Sequence, residues 1–373
     1  MTVYLDHAAS TPVRAEAIEA LLPYLSEQYG NPSGAHSMAR AARNALDDAR
    51  VVLADALGCR PGEIVFTSGG TEADNAAVFS YADRGPVVCS AIEHHAVLDP
   101  VHRVGGRVVA VDANGLVDLG ALTVALDDSV ALVSIMLANN EIGVIQPLPE
   151  IVELVRERAP HAVVHTDAVQ AFPWLDVATL AAAADLISIS AHKFGGPKGI
   201  GVLVVRDGVP FAARQVGGGQ ERERRSGTQN VAGIIAMAEA ARLTVDERKT
   251  VVDRVAPMRD RLADGLVSSV PATIETGDRT RKIAGNCHVC FDGIESEALL
   301  FLLEQHDIMA SAAASCASGA QDPSHVLAAL GLPRSRAQGS LRLSLGTTTT
   351  DDDIDLALRV IPDAVARLRE RGS

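Results

Sequence analysis

Short apolar runs alternate with amphipathic stretches through the first part of the chain. Seven such runs are apolar nearly throughout, as expected for strands that are covered on both faces. Helical patterns follow several of them, for example at 71–83 and 147–158. The alternation predicts an α/β fold with a mostly parallel sheet, in which ligands gather at the carboxyl ends of the strands. The predicted strands are 63–67, 86–90, 107–111, 130–136, 162–165, 185–190 and 201–205.

Beyond residue 228 the pattern changes to long helical stretches and mixed elements. Two helices are predicted at about 231–248 and 251–266, and α and β elements then lead to a C-terminal helix from Asp351. A length of 373 residues agrees with two domains. We predict a large domain at 14–254 and a smaller α+β domain formed by 1–13 and 255–373.

Composition and charge exclude several classes of protein. Apolar residues make up 47% of the chain, which is enough for a large core. The net charge of −14 excludes nucleic-acid binding through a basic face as the main role. No signal peptide or membrane span is visible, and five sparse cysteines are typical of reduced thiols. We therefore expect a cytoplasmic protein with no membrane association.

Residues 67–72 (TSGGTE) join a predicted strand to the helix that follows it. Glycines let the backbone approach an anion, and the start of a helix offers free amides, so this segment is a candidate phosphate cradle. Its glycine spacing matches neither a Walker A loop nor a dinucleotide fingerprint. An ordinary turn with a threonine N-cap explains the segment equally well.

Lys193 and Asp167 each follow a predicted strand. Lys193 lies among glycines beside Ser190 and His192. A lysine that is partly desolvated loses its charge readily and suits a Schiff-base role, although an exposed loop lysine is the commoner case. Asp167 is suited either to pairing with a pyridinium nitrogen or to capping a helix.

His94 also follows a strand, and Cys316 lies in a stretch of small residues that is predicted to be a loop. A histidine beside a ring-shaped cofactor can stack on it and move protons, whereas capping a helix or facing solvent is the alternative for the neighbouring His95. A reachable thiol can act as a nucleophile, yet a free surface cysteine fits equally well. Cys287 and Cys290 lie in a strand-like run and are predicted to be core thiols.

Together these motifs form the parts of a pyridoxal-phosphate (PLP) site. In chain order they are a phosphate cradle, a ring-stacking histidine, a pyridinium partner and a Schiff-base lysine. Over nearly its whole length the chain resembles the NifS/IscS-type cysteine desulfurases of the class V aminotransferase superfamily. The matching stretches are residues 4–9, 30–33, 67–72, 93–97, 139–143, 167–170, 192–193, 196–201, 217–221, 225–228, 316 and 342–346.

The resemblance implies a PLP-dependent fold type I enzyme and a role for each matching residue. Lys193 would form the Schiff base and move the substrate Cα proton, His94 would stack on the ring and take part in acid–base steps, and Asp167 would pair with the pyridine nitrogen. Asn31 and Arg342 match the positions that receive the substrate carboxylate, Cys316 matches the nucleophile, and no metal is implied. The residues implied to hold the cofactor are Gly70, Thr71, His94, Asn140, Asp167, Gln170, Ser190, His192, Lys193 and, from a partner subunit, Thr228.

The implied activity is that of a cysteine desulfurase. L-cysteine would become L-alanine, and the sulfur would be held as a persulfide on Cys316 before transfer to a protein acceptor. The resemblance also implies a homodimer. The acceptor stays open between iron–sulfur cluster assembly, tRNA thiolation and another sulfur-modification pathway.

Three alternatives compete with this interpretation. One is another class V PLP enzyme, such as a selenocysteine lyase or an aminotransferase, which Cys316 argues against. The second is a docking subunit within a DNA- or tRNA-sulfur modification complex. The third, a PLP-free structural homologue, is disfavoured because every cofactor position is present.

Two stretches depart from the family's pattern. Residues 172–174 (FPW) stand where a Gly-Lys-rich stretch is usual, and residues 314–317 (ASCA) replace Ser-Ala-Cys-Thr. The loop at about 310–323, which carries the cysteine, still resembles that of the long-loop subgroup. That subgroup usually hands sulfur to scaffold or carrier proteins, so the changed composition leaves the acceptor open.

Overall fold

A seven-stranded sheet forms the centre of the computed structural model, which describes residues 2–312 and 324–372. The strands are β1 (Val3–Tyr4), β2 (Ile64–Thr67), β3 (Val87–Ser90), β4 (Arg107–Val109), β5 (Leu132–Ser134), β6 (Val163–Asp167), β7 (Leu186–Ser190), β8 (Gly201–Val205), β9 (Thr273–Glu275), β10 (Asn286–Phe291), β11 (Ile308–Met309) and β12 (Ser340–Ser344). The helices are α1 (Ala15–Leu21), α2 (Pro23–Ser26), α3 (Ser37–Leu57), α4 (Gly70–Tyr81), α5 (His95–Arg103), α6 (Leu119–Ala125), α7 (Leu148–Arg158), α8 (Val177–Leu180), α9 (Val231–Ser269), α10 (Ser296–Glu304), α11 (His325–Ala329), α12 (Arg334–Ala337) and α13 (Asp351–Gly372). Short 3₁₀ turns occur at Pro61–Glu63, Ala191–Lys193, Gln220–Glu223 and Arg279–Arg281.

The large sheet has the strand order β2-β8-β7-β6-β5-β3-β4. Every neighbouring pair is parallel except the two that involve β8, which runs antiparallel to both β2 and β7. Strands β5, β6 and β7 are buried at every position, as strands covered on both faces should be. The α/β fold with a mostly parallel sheet is confirmed. Its parallel strands bring their carboxyl ends to one edge.

A three-stranded antiparallel sheet, the small sheet, has the order β12-β10-β9. Its register places Arg342 opposite His288 and Ser344 opposite Asn286. A second hydrophobic core, which includes Leu262 and Leu343, packs this sheet against helices. The segment at β1 pairs in parallel with β11, so the N-terminus of the chain joins this part of the fold.

One helix prediction is wrong. Helix α9 runs unbroken from Val231 to Ser269, where the sequence analysis predicted two helices. Residues 249–250 between the predicted helices include neither glycine nor proline, and Lys249 pairs with Asp253 one turn later at 2.5 Å. The helix therefore crosses residue 254, and the division into domains at 14–254 and at 1–13 with 255–373 stays a prediction. In the part of the chain that the structure describes, no helix is both long and apolar enough to cross a bilayer.

Residues 217–228, which we call the 217–228 loop, contain an unusual stretch of backbone. Glu221, Arg222 and Glu223 have φ values of 49°, 55° and 64°, in the left-handed region. Each such non-glycine residue costs about 1–2 kcal/mol. The Glu221 carboxylate accepts two hydrogen bonds of 2.9 Å from the Arg50 guanidinium and one of 3.1 Å from the Phe66 amide. This buried ion pair attaches the loop to α3 and β2.

Replacing Glu221 by glutamine should destabilise the protein by about 3–5 kcal/mol, because it leaves the buried Arg50 charge without its partner. Urea denaturation followed through the fluorescence of the single tryptophan measures the loss. Glu223→Gln, in the same loop but exposed, is the matched control and should change stability by less than about 0.5 kcal/mol. Equal stability of the two variants would contradict the proposed anchoring role of the ion pair.

Candidate active site

A cavity of about 500 Å³ lies at the edge of the large sheet, where the carboxyl ends of its parallel strands meet the start of α4. Segments that are far apart in the sequence converge here because the parallel strands end side by side. The predicted site residues that line the cavity are Gly70, Thr71, His94, Asn140, Asp167, Gln170, Ser190, His192, Lys193 and Arg342.

The start of α4 forms one end of this cavity. The N-cap of the helix is Gly69, whose φ is 153°, and no side chain caps the helix, so the predicted threonine N-cap is absent there. The neighbouring strand comes very close: a Cβ on Gly201 would lie 2.8 Å from the Cα of Gly69. The first residues of α4 and the hydroxyls of Thr71 and Ser190 border an adjoining depression, which also includes His192, Lys198 and, at its rim, Glu72. This set of donors suits an anion such as phosphate.

Lys193 ends the 3₁₀ turn that follows β7. Its Nζ donates to the carbonyl oxygen of Ala8 at 2.5 Å and to that of Ala9 at 3.0 Å. Burial and then the nearby Arg342 charge lower the pKa of Lys193 to about 8. A lysine with this pKa is available as a neutral amine close to neutral pH, as Schiff-base chemistry requires.

Asp167 lies at the end of β6 and is buried. Its Oδ1 accepts a hydrogen bond of 2.8 Å from the Val169 amide. Burial raises the pKa of Asp167 to about 6, although that hydrogen bond and the Lys193 charge act in the opposite direction. Asp167 is therefore a carboxylate at neutral pH, and its charge faces the cavity with little solvent.

His94 is both a helix cap and a wall of the cavity. Its Nδ1 accepts a hydrogen bond of 3.0 Å from the Ala96 amide at the start of α5. Burial and then the Lys193 charge lower the pKa of His94 to about 4. The neutral ring therefore carries its proton on Nε2 and is suited to stacking and proton transfer.

Arg342 reaches the cavity from the small sheet. Its Nη2 donates to Asp6 Oδ1 at 2.9 Å and its Nη1 to the Asn140 carbonyl oxygen at 3.0 Å, while Nε has no partner. The guanidinium is thus held in one orientation with donors to spare. Such a fork matches the geometry of a carboxylate.

Two predicted residues do not line this cavity in the single chain, and a third lies outside the described residues. Asn31 and Thr228 lie together in a separate depression beside Tyr29, where Asn31 Oδ1 accepts a hydrogen bond of 2.9 Å from the Ser33 amide. Cys316 and residues 314–317 lie outside the described residues. Ser311, close before them in the sequence, lines the cavity.

The structure adds two acids that the sequence analysis gave no role. Asp6 forms the ion pair with Arg342, and Asp74 lines the cavity from α4. For Asp74 there was a signal, since it lies next to Ala73 on the helix face formed by Ala77, Val78 and Tyr81, which is buried. Cys287 and Cys290 are buried in β10 and form no disulfide, as expected for core thiols.

Comparisons with known proteins agree with this geometry. The family model described as aminotransferase class-V matches residues 3–357. The cysteine desulfurase IscS of Methanosarcina thermophila is 44% identical over 98% of this chain and 93% of its own. A solved NifS-like protein superposes with a TM-score of 0.91 at 35% identity, covering 99% of this chain and all of the other. A structure titled SspA in complex with cysteine has a TM-score of 0.80 at 31% identity, over 92% of this chain and 99% of its own.

The lowered pKa of Lys193 predicts how its amine reacts. In protein freed of bound small molecules, labelling of Lys193 by an amine reagent should rise with a midpoint at about pH 8, against roughly 10.4 for an unperturbed lysine. Peptide mass spectrometry measures the labelled fraction at each pH. Arg342→Gln removes a nearby positive charge and should move the midpoint upward. A wild-type midpoint near that of a free lysine would contradict the burial argument.

Proposed function

Because the chain belongs to the class V aminotransferase family and is a cysteine desulfurase, we propose that it desulfurates L-cysteine with PLP in the cavity around Lys193 and passes the sulfur through Cys316 to a protein acceptor. The convergence of Lys193, Asp167, His94 and Arg342 on one cavity is the observation that carries this proposal. A lowered lysine pKa, a buried carboxylate, a neutral imidazole and an oriented guanidinium are the groups that such chemistry needs.

The residues present fit PLP. The amides at the start of α4, with Thr71, Ser190 and His192, would hold the phosphate. A Cβ on residue 70 would lie 2.9 Å from Val169 Cγ2. Glycine at this position therefore lets the phosphate cradle approach the strand ends this closely. Asp167 would hold the protonated pyridine nitrogen, His94 would cover the ring, and Asn140 and Gln170 would lie near its hydroxyl. When bound, PLP supplies an electron sink that makes the substrate Cα proton acidic.

Each of the other steps is performed by a residue of the chain itself. Arg342 binds the substrate carboxylate and orients Cα. Lys193, neutral in part near its pKa of about 8, takes and returns the proton at Cα. His94, neutral at physiological pH, moves protons at the same end of the cavity. The Cys316 thiolate attacks the substrate sulfur, so that an S–S bond forms on Cys316 as the substrate Cβ–S bond breaks. The electron pair of the broken bond takes up a proton at Cβ, and the carbon skeleton leaves as L-alanine while Cys316 keeps the persulfide.

The depression that contains Asn31 and Thr228 supports the proposal of a homodimer. Thr228 is exposed, at the end of the anchored 217–228 loop, and Leu25 and Tyr29 beside it are 62% and 69% exposed. In the dimer, Thr228 would reach the phosphate in the partner subunit. We also propose that the enzyme works in the cytoplasm and hands its sulfur to a scaffold or carrier protein rather than to nucleic acid directly.

An absorbance spectrum tests the cofactor and the reaction together. The purified protein should show a band at roughly 400–420 nm, as PLP Schiff bases do, and L-cysteine should shift it. Alanine and sulfur should form in equal amounts. A persistent band without alanine would retain PLP but exclude desulfuration, and the absence of any band after incubation with PLP would contradict the proposal.

Replacing Cys316 by serine should leave PLP binding unchanged, because the residue is not among the cofactor ligands. Sulfide release from L-cysteine should fall by roughly 1,000-fold or more, as expected when a nucleophile is removed, and no persulfide should form. Mass spectrometry of the protein after incubation with cysteine detects the persulfide directly. Cys59→Ser, at a half-buried free cysteine, is the control and should react like the wild type. Full activity of Cys316→Ser would exclude this role.

A further inference from the structure

Asp74 is a second acid in the cofactor cavity, and the mechanism above does not use it. It belongs to α4, is 1% exposed and lines the cavity together with Asp167. Its Oδ1 accepts no hydrogen bond and lies 3.6 Å from Nε2 of His165. A buried carboxyl group with an unpartnered oxygen is costly, so its state of charge requires an explanation.

The groups around Asp74 form a hydrogen-bonded chain beneath Asp167. His165 Nδ1 lies 2.8 Å from Ser134 Oγ, and its Nε2 lies 2.9 Å from Ser188 Oγ. Ser188 is the neighbour of Asp167 in the register of β6 and β7. A neutral imidazole offers one donor and one acceptor, so both ring nitrogens are already engaged.

Positive charge is scarce around these acids. Asp74, Asp167 and Glu93 are three buried carboxyl groups whose charges act on one another. Lys193 faces them, but its Nζ donates to two backbone carbonyls. In residues 2–312 and 324–372, no lysine or arginine forms an ion pair with any of the three. Several buried carboxyl groups without a cation cannot all be ionised.

We propose that Asp74 is a positioning residue that stays uncharged, so that Asp167 is the one anion presented to the pyridine nitrogen of the cofactor. The inference rests on the proposed role of Asp167 toward PLP. A second charge on Asp74 would compete for the same pyridinium or drive the proton onto Asp167. Protonated Asp74 instead adds no charge beside the neutral hydrogen-bonded chain of Ser188, His165 and Ser134.

The pKa values of Asp74 and of the groups around it support this distribution of charge, with Asp74 neutral and Asp167 ionised. Burial raises the pKa of Asp74 well above its usual range, and the charges of Asp167 and Glu93 raise it further. Burial lowers the pKa of His165 to about 3, so the imidazole does not become a counter-ion. The groups that face Asp74 are Asp167 and His165 from β6, Glu93 after β3 and Lys193 after β7.

Asp74→Asn tests the proposal through cofactor affinity. Asparagine keeps the size and the ability to donate a hydrogen bond, so the Kd for PLP should stay within about fivefold of the wild type. Asp167→Asn removes a charge-assisted hydrogen bond and should weaken binding by about 10- to 100-fold. An equal loss in the two variants would overturn the proposal. If the wild type does not bind PLP, the proposed function fails instead.

The pH dependence of thermal unfolding gives a readout that does not need activity. Folded Asp74 retains a proton that the unfolded chain releases above about pH 4, so the wild type loses stability as the pH rises toward the folded-state pKa. The Tm of Asp74→Asn minus that of the wild type should therefore increase between about pH 5 and pH 8. Asp74→Ser is also neutral at this position and should show the same trend. Agreement between the two variants shows that the trend does not come from a folding defect of one of them.

Asp128→Asn serves as the matched control, because Asp128 is exposed and should give no such trend. A Tm difference that is flat or decreases with pH in both Asp74 variants would overturn the proposal, since it would show that folded Asp74 is charged.

Discussion

The N-terminal segment at 3–11 connects the two sheets to Lys193 through a few buried hydrogen bonds. The Ala8 amide donates to Ser344 Oγ of the small sheet, and the Ala8 carbonyl accepts from both Lys193 Nζ and Gln170 Nε2 of the large sheet. A buried carbonyl must be satisfied. The Gln170 amide satisfies this carbonyl even without the Lys193 hydrogen bond. The Ala8 carbonyl therefore accepts a hydrogen bond from Lys193 but does not need that bond to be satisfied.

Burial, more than any single charge pair, sets the electrostatics of the cavity. It lowers the pKa of Lys193 and raises that of Asp167, although each charge stabilises the other. It also keeps His94 and His165 neutral. The cavity therefore combines the Asp167 carboxylate, a lysine with a lowered pKa and the oriented Arg342 guanidinium, while the histidines that line it add no charge at neutral pH.

The features that could be predicted from the sequence are those that the local hydrophobic pattern and the geometry of parallel strands determine. Strand ends carry Asp167 and Ser190, and apolar runs before them place these ends together at one edge of the large sheet. Partners that are distant in the chain were not predictable: Asp6 and Arg342 are joined only by the folded small sheet. The sequence analysis predicted two helices in place of α9 because the amphipathic periodicity fades where the helix passes from one hydrophobic core to the other. Asn31 and Thr228 lie outside the cavity of the single chain, and their roles stay predictions.

The departure at residues 172–174 lies away from the cofactor cavity. Pro173 and Trp174 line a second cavity behind Lys193, between the large sheet and the small sheet. The Trp174 ring occupies the space where a Cβ on Gly285 would lie, 2.2 Å from its Cζ2. The large side chain and the glycine therefore compensate each other where they pack together. None of residues 172–174 lines the cofactor cavity, so this departure belongs to the packing between the two sheets and not to the groups around Lys193.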